Sequence, residues 1–234
     1  VAIHPDALRA SLSDLSTEAL TKGNLDASLH DVAAAALVLF DAAGAGLMLI
    51  DDSQALHYVA ATDARAAALE AAQEESGEGP CIDSLVNDQL VRCDDLEDDD
   101  RWPIVKATIC PLGVRSILGV PVRIGGTAVG SLNTYHDRPH PWDDTEIDAV
   151  SAYGRVVEEL LAHALLAEKR SVIVEQLEYA LRNRVDIERA VGVLMARNNL
   201  DAVKAFDALR RQARSQRTKV VDLARDILAD PTFV

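Results

Sequence analysis

Residues 116–135, SILGVPVRIGGTAVGSLNTY, hold two apolar runs separated by two glycines. The first run, 116–124, and the second, 128–135, are rich in Val, Ile, Leu and Thr, which suits a pleated, half-buried surface. Gly125 and Gly126 predict the turn between them, because adjacent glycines take the positive φ angles that a two-residue hairpin needs. A hairpin makes its strands antiparallel neighbours. A doubly wound parallel sheet would alternate strand and helix regularly, and this chain does not. The fold class is therefore α+β: an antiparallel sheet flanked by helices.

Upstream, the short runs 46–50 and 55–61 read as a second hairpin around Asp51-Asp52-Ser53, and 90–93 as a further short strand. Five to six strands result. Helical spacing appears over 8–20 and 25–40, where Leu25, Leu29, Val32, Ala36 and Leu39 recur at three or four. Gly23-Asn24 separates those helices. Residues 64–75 are alanine-rich and helical, and Gly77-Glu78-Gly79-Pro80 breaks the chain. Short helices are predicted at 81–86 and 104–110.

Downstream, a loop with Pro139 and Pro141 leads to a helix with Asp143 or Asp144 as N-cap. Its stripe of Ile147, Val150, Gly154, Val157, Leu161, Ala164 and Leu165 predicts a long connecting helix from 144 to about 176. Such sustained spacing suits packing on a partner helix, as in a coiled-coil dimer. Beyond 174 no strand signal remains. Three helices are expected, with Leu177, Ala180, Ile187, Val191 and Leu194 inward on the first and Ala205, Phe206, Leu209 and Ala213 on the second. Val220, Leu223, Ala224, Ile227 and Leu228 face inward on the third. Each buries little alone, so they should pack as one C-terminal three-helix bundle.

The net charge is −15, but it is unevenly placed. Residues 170–230 hold twelve Arg and Lys against nine Asp and Glu, a net of +3. The remainder, eleven against 29, nets −18. A basic module fused to an acidic domain has this asymmetry. The longest apolar run, 32–40, is too short to span a bilayer, and no secretory leader is visible, so a cytoplasmic protein with no membrane partner is expected. Cys81, Cys93 and Cys110 are odd in number and widely spaced, which fits a reducing compartment and neither a disulfide framework nor a zinc site. The acidic runs Asp94-Asp95 and 97–100 read as a solvated loop.

No glycine-rich nucleotide loop, nucleophile elbow or paired-His zinc motif is present, so no enzyme is indicated and no cofactor is expected. His136 and His140 share a loop without an evident third ligand, which assigns them a surface role and gives a metal set of none. His163 lies on the long helix with no ATP-binding domain to phosphorylate it. Cys81 and Cys93 are read as small buried hydrophobes. The basic residues stand off the apolar stripes. Residues 210–219 hold Arg210, Arg211, Arg214, Arg217 and Lys219 and no acid, and an unpaired cationic run attracts phosphates. With Arg184, Arg189 and Thr218, these are the candidate nucleic-acid-binding residues. The ligand-binding residues of the first domain stay unknown.

Two resemblances follow from the residues. The pattern Ala180-Leu181, Arg184, Ile187, Ala190, Gly192 and Leu194-Met195, then Ala205-Phe206, Leu209 and Ala213, then Lys219-Val220, Leu223-Ala224 and Ile227-Leu228 resembles the ANTAR domain over 174–229. That family is a three-helix RNA-binding output module of bacterial transcription antiterminators. The resemblance implies binding of RNA stem-loops, usually by a homodimer. The family often has Lys before the glycine and Asn before the last helix, where this chain has Val191 and Arg217-Thr218. Ala190 and Gly192 are read as small residues that let helices approach closely.

Gly79-Pro80-Cys81, Asp95-Leu96, Asp100-Arg101-Trp102-Pro103, Gly113-Val114-Arg115-Ser116, Val120-Pro121-Val122 and Gly130-Ser131-Leu132-Asn133 resemble a GAF domain of the type found in actinobacterial regulators. That resemblance covers about 25–166 and implies a sheet that binds a small ligand or serves dimerisation. The expected division is an N-terminal helix at 1–24, a GAF-like sensor at 25–166 and an ANTAR-like module at 167–234.

The expected function is that of an RNA-binding transcription antitermination regulator under sensor control. The alternatives are a DNA-binding transcription regulator and a dimerisation-only signalling adaptor. A phosphoreceiver sensor is rejected. Asp51-Asp52, with Asp94 or Asp95, imitates its acidic pocket, but 120–124 offers Arg123 and 129–135 no lysine, and the glycine hairpin contradicts a parallel sheet.

Overall fold

The computed structural model describes residues 4–22, 24–51, 56–167 and 172–229. The chain divides into two compact units, residues 1–49 with 57–169, and residues 50–56 with 170–234.

The first unit holds, but for the strand-end residues Ile50 and Leu56, one sheet of β1 (Gly44–Ile50), β2 (Leu56–Ala61), β3 (Val91–Cys93), β4 (Ser116–Ile124) and β5 (Thr127–His136) in the order β2-β1-β5-β4-β3. β5 pairs antiparallel with β1 and β4, and β3 with β4. Gly125 and Gly126, at φ 59° and 81°, make the two-residue turn with both residues left-handed. The expected β1–β2 turn falls at 52–55, outside the described residues.

Register sorts the β5 side chains. Ser131, Asn133 and Tyr135 share a face with Ile117 and Gly119, whereas Leu132, Thr134 and His136 share the other with Ser116, Leu118 and Val120. Around the sheet lie α1 (Pro5–Lys22), α2 (Leu25–Phe40), α3 (Ala64–Ser76), α4 (Pro80–Asn87), α5 (Pro103–Ile109) and α6 (Asp144–Leu166). Gly154 brings α6 down on Val120, while Glu70 of α3 bonds Asn133 on the opposite face.

Local signals set these helices. Asp63 caps α3 on the Ala66 N–H and Gly77 ends it in the left-handed region; Pro80 opens α4. Asp143 and Glu146 form a reciprocal capping box on α6. Leu47, Ile117, Leu118, Val150 and Val157 are wholly buried. Each such side chain contributes roughly 1.5–3 kcal/mol of transfer free energy.

The expected single helix over 144–176 is interrupted. α6 ends at Leu166, because Ala167 leaves the helical region at φ −80°, ψ 2°, and 168–171 lie outside the described residues. The helix predicted over 104–110 likewise ends at Ile109, and a single 3₁₀ turn follows at Cys110–Leu112.

The second unit holds α7 (Val172–Asn198), α8 (Ala202–Gln216) and α9 (Val220–Ala229). Leu177, Ala180, Ile187, Ala190 and Leu194 of α7, Leu209 and Ala213 of α8, and Leu223, Ala224 and Ile227 of α9 are buried. Arg225 fastens α9 to α7 through Asp186 at 2.9 Å and Asn183 at 3.0 Å. Asp201 caps α8 on the Lys204 N–H. Among the described residues no helix is long and apolar enough to cross a membrane.

Candidate functional site

The basic residues of the bundle do not form one uniform surface. Arg210, placed by its spacing on an open face, is buried. It follows Leu209 into the helix packing, with its guanidinium 5.8 Å from the Phe206 ring centre. Arg211 is not without an acid, as the sequence run suggested, because Asp207 one turn earlier reaches it at 2.8 Å. Arg184 meets Glu188 at 2.6 Å, and Lys219 lies over the Tyr179 ring at 4.6 Å. Arg189, Arg214, Arg217 and Lys219 are exposed, and Thr218 is half-buried. Arg197, near the end of α7, is exposed as well; sequence reading missed it because it stands apart from the basic run.

Two backbone positions break local preference on this unit. Gly192 was expected to let helices meet, yet it is exposed and a Cβ there would touch nothing within 4 Å. A mid-helix glycine weakens the helix by about 0.5–1 kcal/mol relative to alanine, and no packing here requires it. Arg217 ends α8 in the left-handed region at φ 54°, where glycine is the usual residue.

In the sensor unit, a buried polar centre fills the space between α3, α4 and the sheet. Glu70, Gln73, Ser131 and Asn133 are all at most 2% exposed. The Asn133 amide donates to Glu70 at 2.9 Å, and the Gln73 amide donates to Glu70 at 2.9 Å and to Cys81 Sγ at 2.7 Å. Gln73 also accepts the Cys81 backbone N–H at 2.8 Å. Gly46 makes room for this, since a Cβ there would collide with the Glu70 carboxylate. Burial pushes Glu70 up to about 7, against the lowering effect of its bonds to Cys81 and Asn133. Burial and the adjacent Glu70 charge raise the Cys81 thiol well above its ordinary value. Cys81 is thus not the apolar core residue expected of it. The sequence signal for this centre was available in Glu70 and Gln73, two polar residues at three-residue spacing on the inward side of an alanine helix.

The acidic loop is largely neutralised from within. Arg115 grips Asp95 through two nitrogens at 3.0 and 2.8 Å, and Arg101 grips Asp99 while lying over the Trp102 ring at 4.1 Å.

The two loop histidines are corrected. His136 ends β5 and is buried, and His140 is partly buried. A third donor does exist: Glu146 in the first turn of α6, whose two oxygens each lie 2.9 Å from His140 Nε2. Burial first, then the neighbouring His140, lowers His136 to about 4. Sequence reading did not group Glu146 with the histidines, because it stands in the first turn of α6, outside the loop that carries them.

Comparison with known proteins agrees with both units. A model of the GAF domain matches residues 24–161, and a model of the ANTAR domain matches residues 175–228. No curated protein matches the chain. The GAF domain of an Acinetobacter phosphoenolpyruvate-protein phosphotransferase superposes with a TM-score of 0.55 at 15% identity, covering 69% of this chain and 95% of that one. Free methionine-R-sulfoxide reductase from Neisseria meningitidis gives 0.56 at 16%, covering 71% and 96%. A domain of a two-component sensor histidine kinase protein from Sinorhizobium meliloti gives 0.51 at 19%, covering 61% and 95%. Likeness at this identity concerns the fold alone. GAF and ANTAR are sensory and regulatory domains, and the chain joins a sensor to an output module. With 24–161 matched by the GAF model and 175–228 by the ANTAR model, the chain belongs to the GAF family and carries an ANTAR domain behind its GAF domain.

Proposed function

We propose that this protein is an RNA-binding transcription antitermination regulator whose GAF domain governs the activity of its ANTAR module. The observation that carries the reading is a set of four exposed cations, Arg189, Arg197, Arg214 and Arg217, which form no ion pair among the described residues. Their neighbours Arg182, Arg184, Lys204, Arg211 and Arg225 are each paired with an acid. Cations kept from internal partners are available to phosphates, and each phosphate neutralised releases counterions. The paired Arg184 and Arg211 remain in the site. An exposed helical ion pair is worth only about 0.3–0.5 kcal/mol, so a phosphate displaces the acid at little cost. Thr218 and Lys219 complete the surface at the α8–α9 turn.

The resemblance to the ANTAR domain implies a homodimer, whose two copies would be related by symmetry. Two modules would then meet two stem-loops. A small molecule bound by the GAF domain, acting in the cytoplasm, would bias that assembly.

Gel-shift titration against an RNA of two adjacent stem-loops tests the reading. The Arg214→Ala/Arg217→Ala variant should bind more weakly, and its log affinity against log salt should flatten by about 2, one unit for each phosphate no longer neutralised. Unchanged RNA affinity would remove the site. Equal competition by duplex DNA would favour a DNA-binding regulator, and failure to bind either nucleic acid a dimerisation-only adaptor.

A further inference from the structure

His136, His140 and Glu146 come from three places in the GAF domain that the fold fixes independently. His136 closes β5, opposite Ser116 in the β4 register. The loop carries His140 four residues on, where its backbone N–H is held by the Asp94 carbonyl at 2.9 Å. Glu146 stands in the first turn of α6, and its Oε2 also accepts the Asp143 N–H at 3.0 Å. The ligand atoms of the three side chains all lie within 4.8 Å of one another. The imidazole centroids are 4.3 Å apart with the rings tilted by 52°, and Trp142 lies against both, 5.1 Å from His136 and 4.8 Å from His140.

The plain reading is a His140–Glu146 ion pair that also supports the capping box. It accounts for two of the three residues. It leaves His136, 1% exposed, with both ring nitrogens buried and without a hydrogen-bond partner among the described residues. An orphaned buried polar group is destabilising, and an aliphatic residue would fill the slot without that penalty. Nor is His136 needed for strand pairing, which uses only its backbone. A buried imidazole aimed at a second imidazole and a carboxylate, with nothing else to satisfy it, is the arrangement of a metal ligand.

We propose that His136, His140 and Glu146 bind one divalent transition-metal ion, of which zinc is the best fit. Two imidazoles and one carboxylate are a borderline donor set suited to zinc and its first-row neighbours, whereas calcium and magnesium take all-oxygen sets. Ligand distances near 2.0–2.2 Å require the donors to converge slightly. His140, on a loop and 19% exposed at its side chain, supplies that adjustment and the path of entry. Three protein donors leave a fourth position on the His140 side for water or an external ligand. Bound metal would pin the start of α6 to the end of β5. The proposal is independent of the RNA-binding reading.

The test uses the full chain, stripped with EDTA and titrated with Zn²⁺ by calorimetry and with Co²⁺ by visible absorption. One equivalent should bind, with the intense d–d bands of a four-coordinate site. Glu146→Gln and His140→Ala should each weaken affinity at least tenfold, the scale on which even outer-shell changes act. His163→Ala, at an exposed histidine on the far part of α6, should leave binding unchanged. Glu146→Gln keeps an acceptor for the capping box, so near-UV dichroism should show an intact fold. Imidazole NMR of the unaltered protein gives a readout free of any folding defect: Zn²⁺ should shift the His136 and His140 resonances together. Absence of a saturable equivalent, affinity indifferent to both ligand variants, or imidazole shifts at other histidines would each overturn the proposal.

Discussion

Cys81 Sγ lies 3.2 Å from Glu70 Oε2 in the interior of the GAF domain, a thiol donating to a fully buried carboxylate. Burial disfavours the charged form of both groups, and the carboxylate is the one that titrates near neutrality. Glu70 is pushed from 4.5 up to about 7 in the folded chain. Below about pH 4.5 it is protonated in both the folded and unfolded states and costs nothing. Between 4.5 and 7 the unfolded chain releases this proton while the folded chain retains it, so stability falls as pH rises and levels off above 7. The loss is on the order of 3 kcal/mol. Both tryptophans, Trp102 and Trp142, lie in this domain, so urea unfolding followed by fluorescence reports on it. Glu70→Gln should stabilise the domain at pH 8 relative to the unaltered chain and show little advantage at pH 4.5. An equal effect at both pH values would contradict the buried titration.

The same burial governs thiol chemistry. Cys81 and Cys93 are buried and Cys110 is partly exposed. Desolvation raises all three thiols, Cys93 to about 12, and alkylation requires both thiolate and access. Under native conditions iodoacetamide should modify Cys110 first, with Cys81 and Cys93 reacting only as the domain unfolds. Peptide mass spectrometry over a time course measures this; a Cys81 rate matching that of Cys110 would be incompatible with the polar centre as described.

Sequence made the fold legible wherever structure is dictated locally. The glycine pair at 125–126 fixes the hairpin because φ preference is a property of the residue itself. Asp143 announces the start of α6 as an N-cap residue, and the apolar stripes of α7 to α9 follow helical period. The sites were less legible because they depend on contacts across the chain. Asn133 reaches Glu70 across 63 residues, and neither position signals the other. Arg210 and Arg214 look alike in sequence. They stand four positions apart, each directly after a buried residue, so the helical period puts them on nearly the same face; packing beside Phe206 buries the first and leaves the second exposed, and that packing is not written in the spacing.

Gly192 separates stability from function in one substitution. Its surroundings are open, so Gly192→Ala should stabilise α7 by about 0.5–1 kcal/mol, visible as slower amide exchange along that helix. If RNA approaches the backbone at this point, the methyl group should weaken binding at the same time. Stabilisation with affinity unchanged would place the RNA elsewhere on the module.

Arg217 poses the complementary question. Its N–H bonds the Arg214 carbonyl at 3.2 Å and the Thr218 N–H bonds the Ala213 carbonyl at 3.0 Å, the paired closure of a helix whose following residue is left-handed. A residue with a Cβ is disfavoured in that conformation by about 1 kcal/mol, and nothing in the bundle benefits from the arginine side chain, which is exposed and forms no ion pair among the described residues. Arg217→Gly should therefore raise the stability of the module while lowering affinity for stem-loop RNA and reducing the salt slope by about 1. Arg217→Lys keeps the charge and the strain, so it should retain most of the affinity and add no stability. A glycine variant that binds RNA as tightly as the unaltered chain would show that the left-handed arginine is tolerated rather than used.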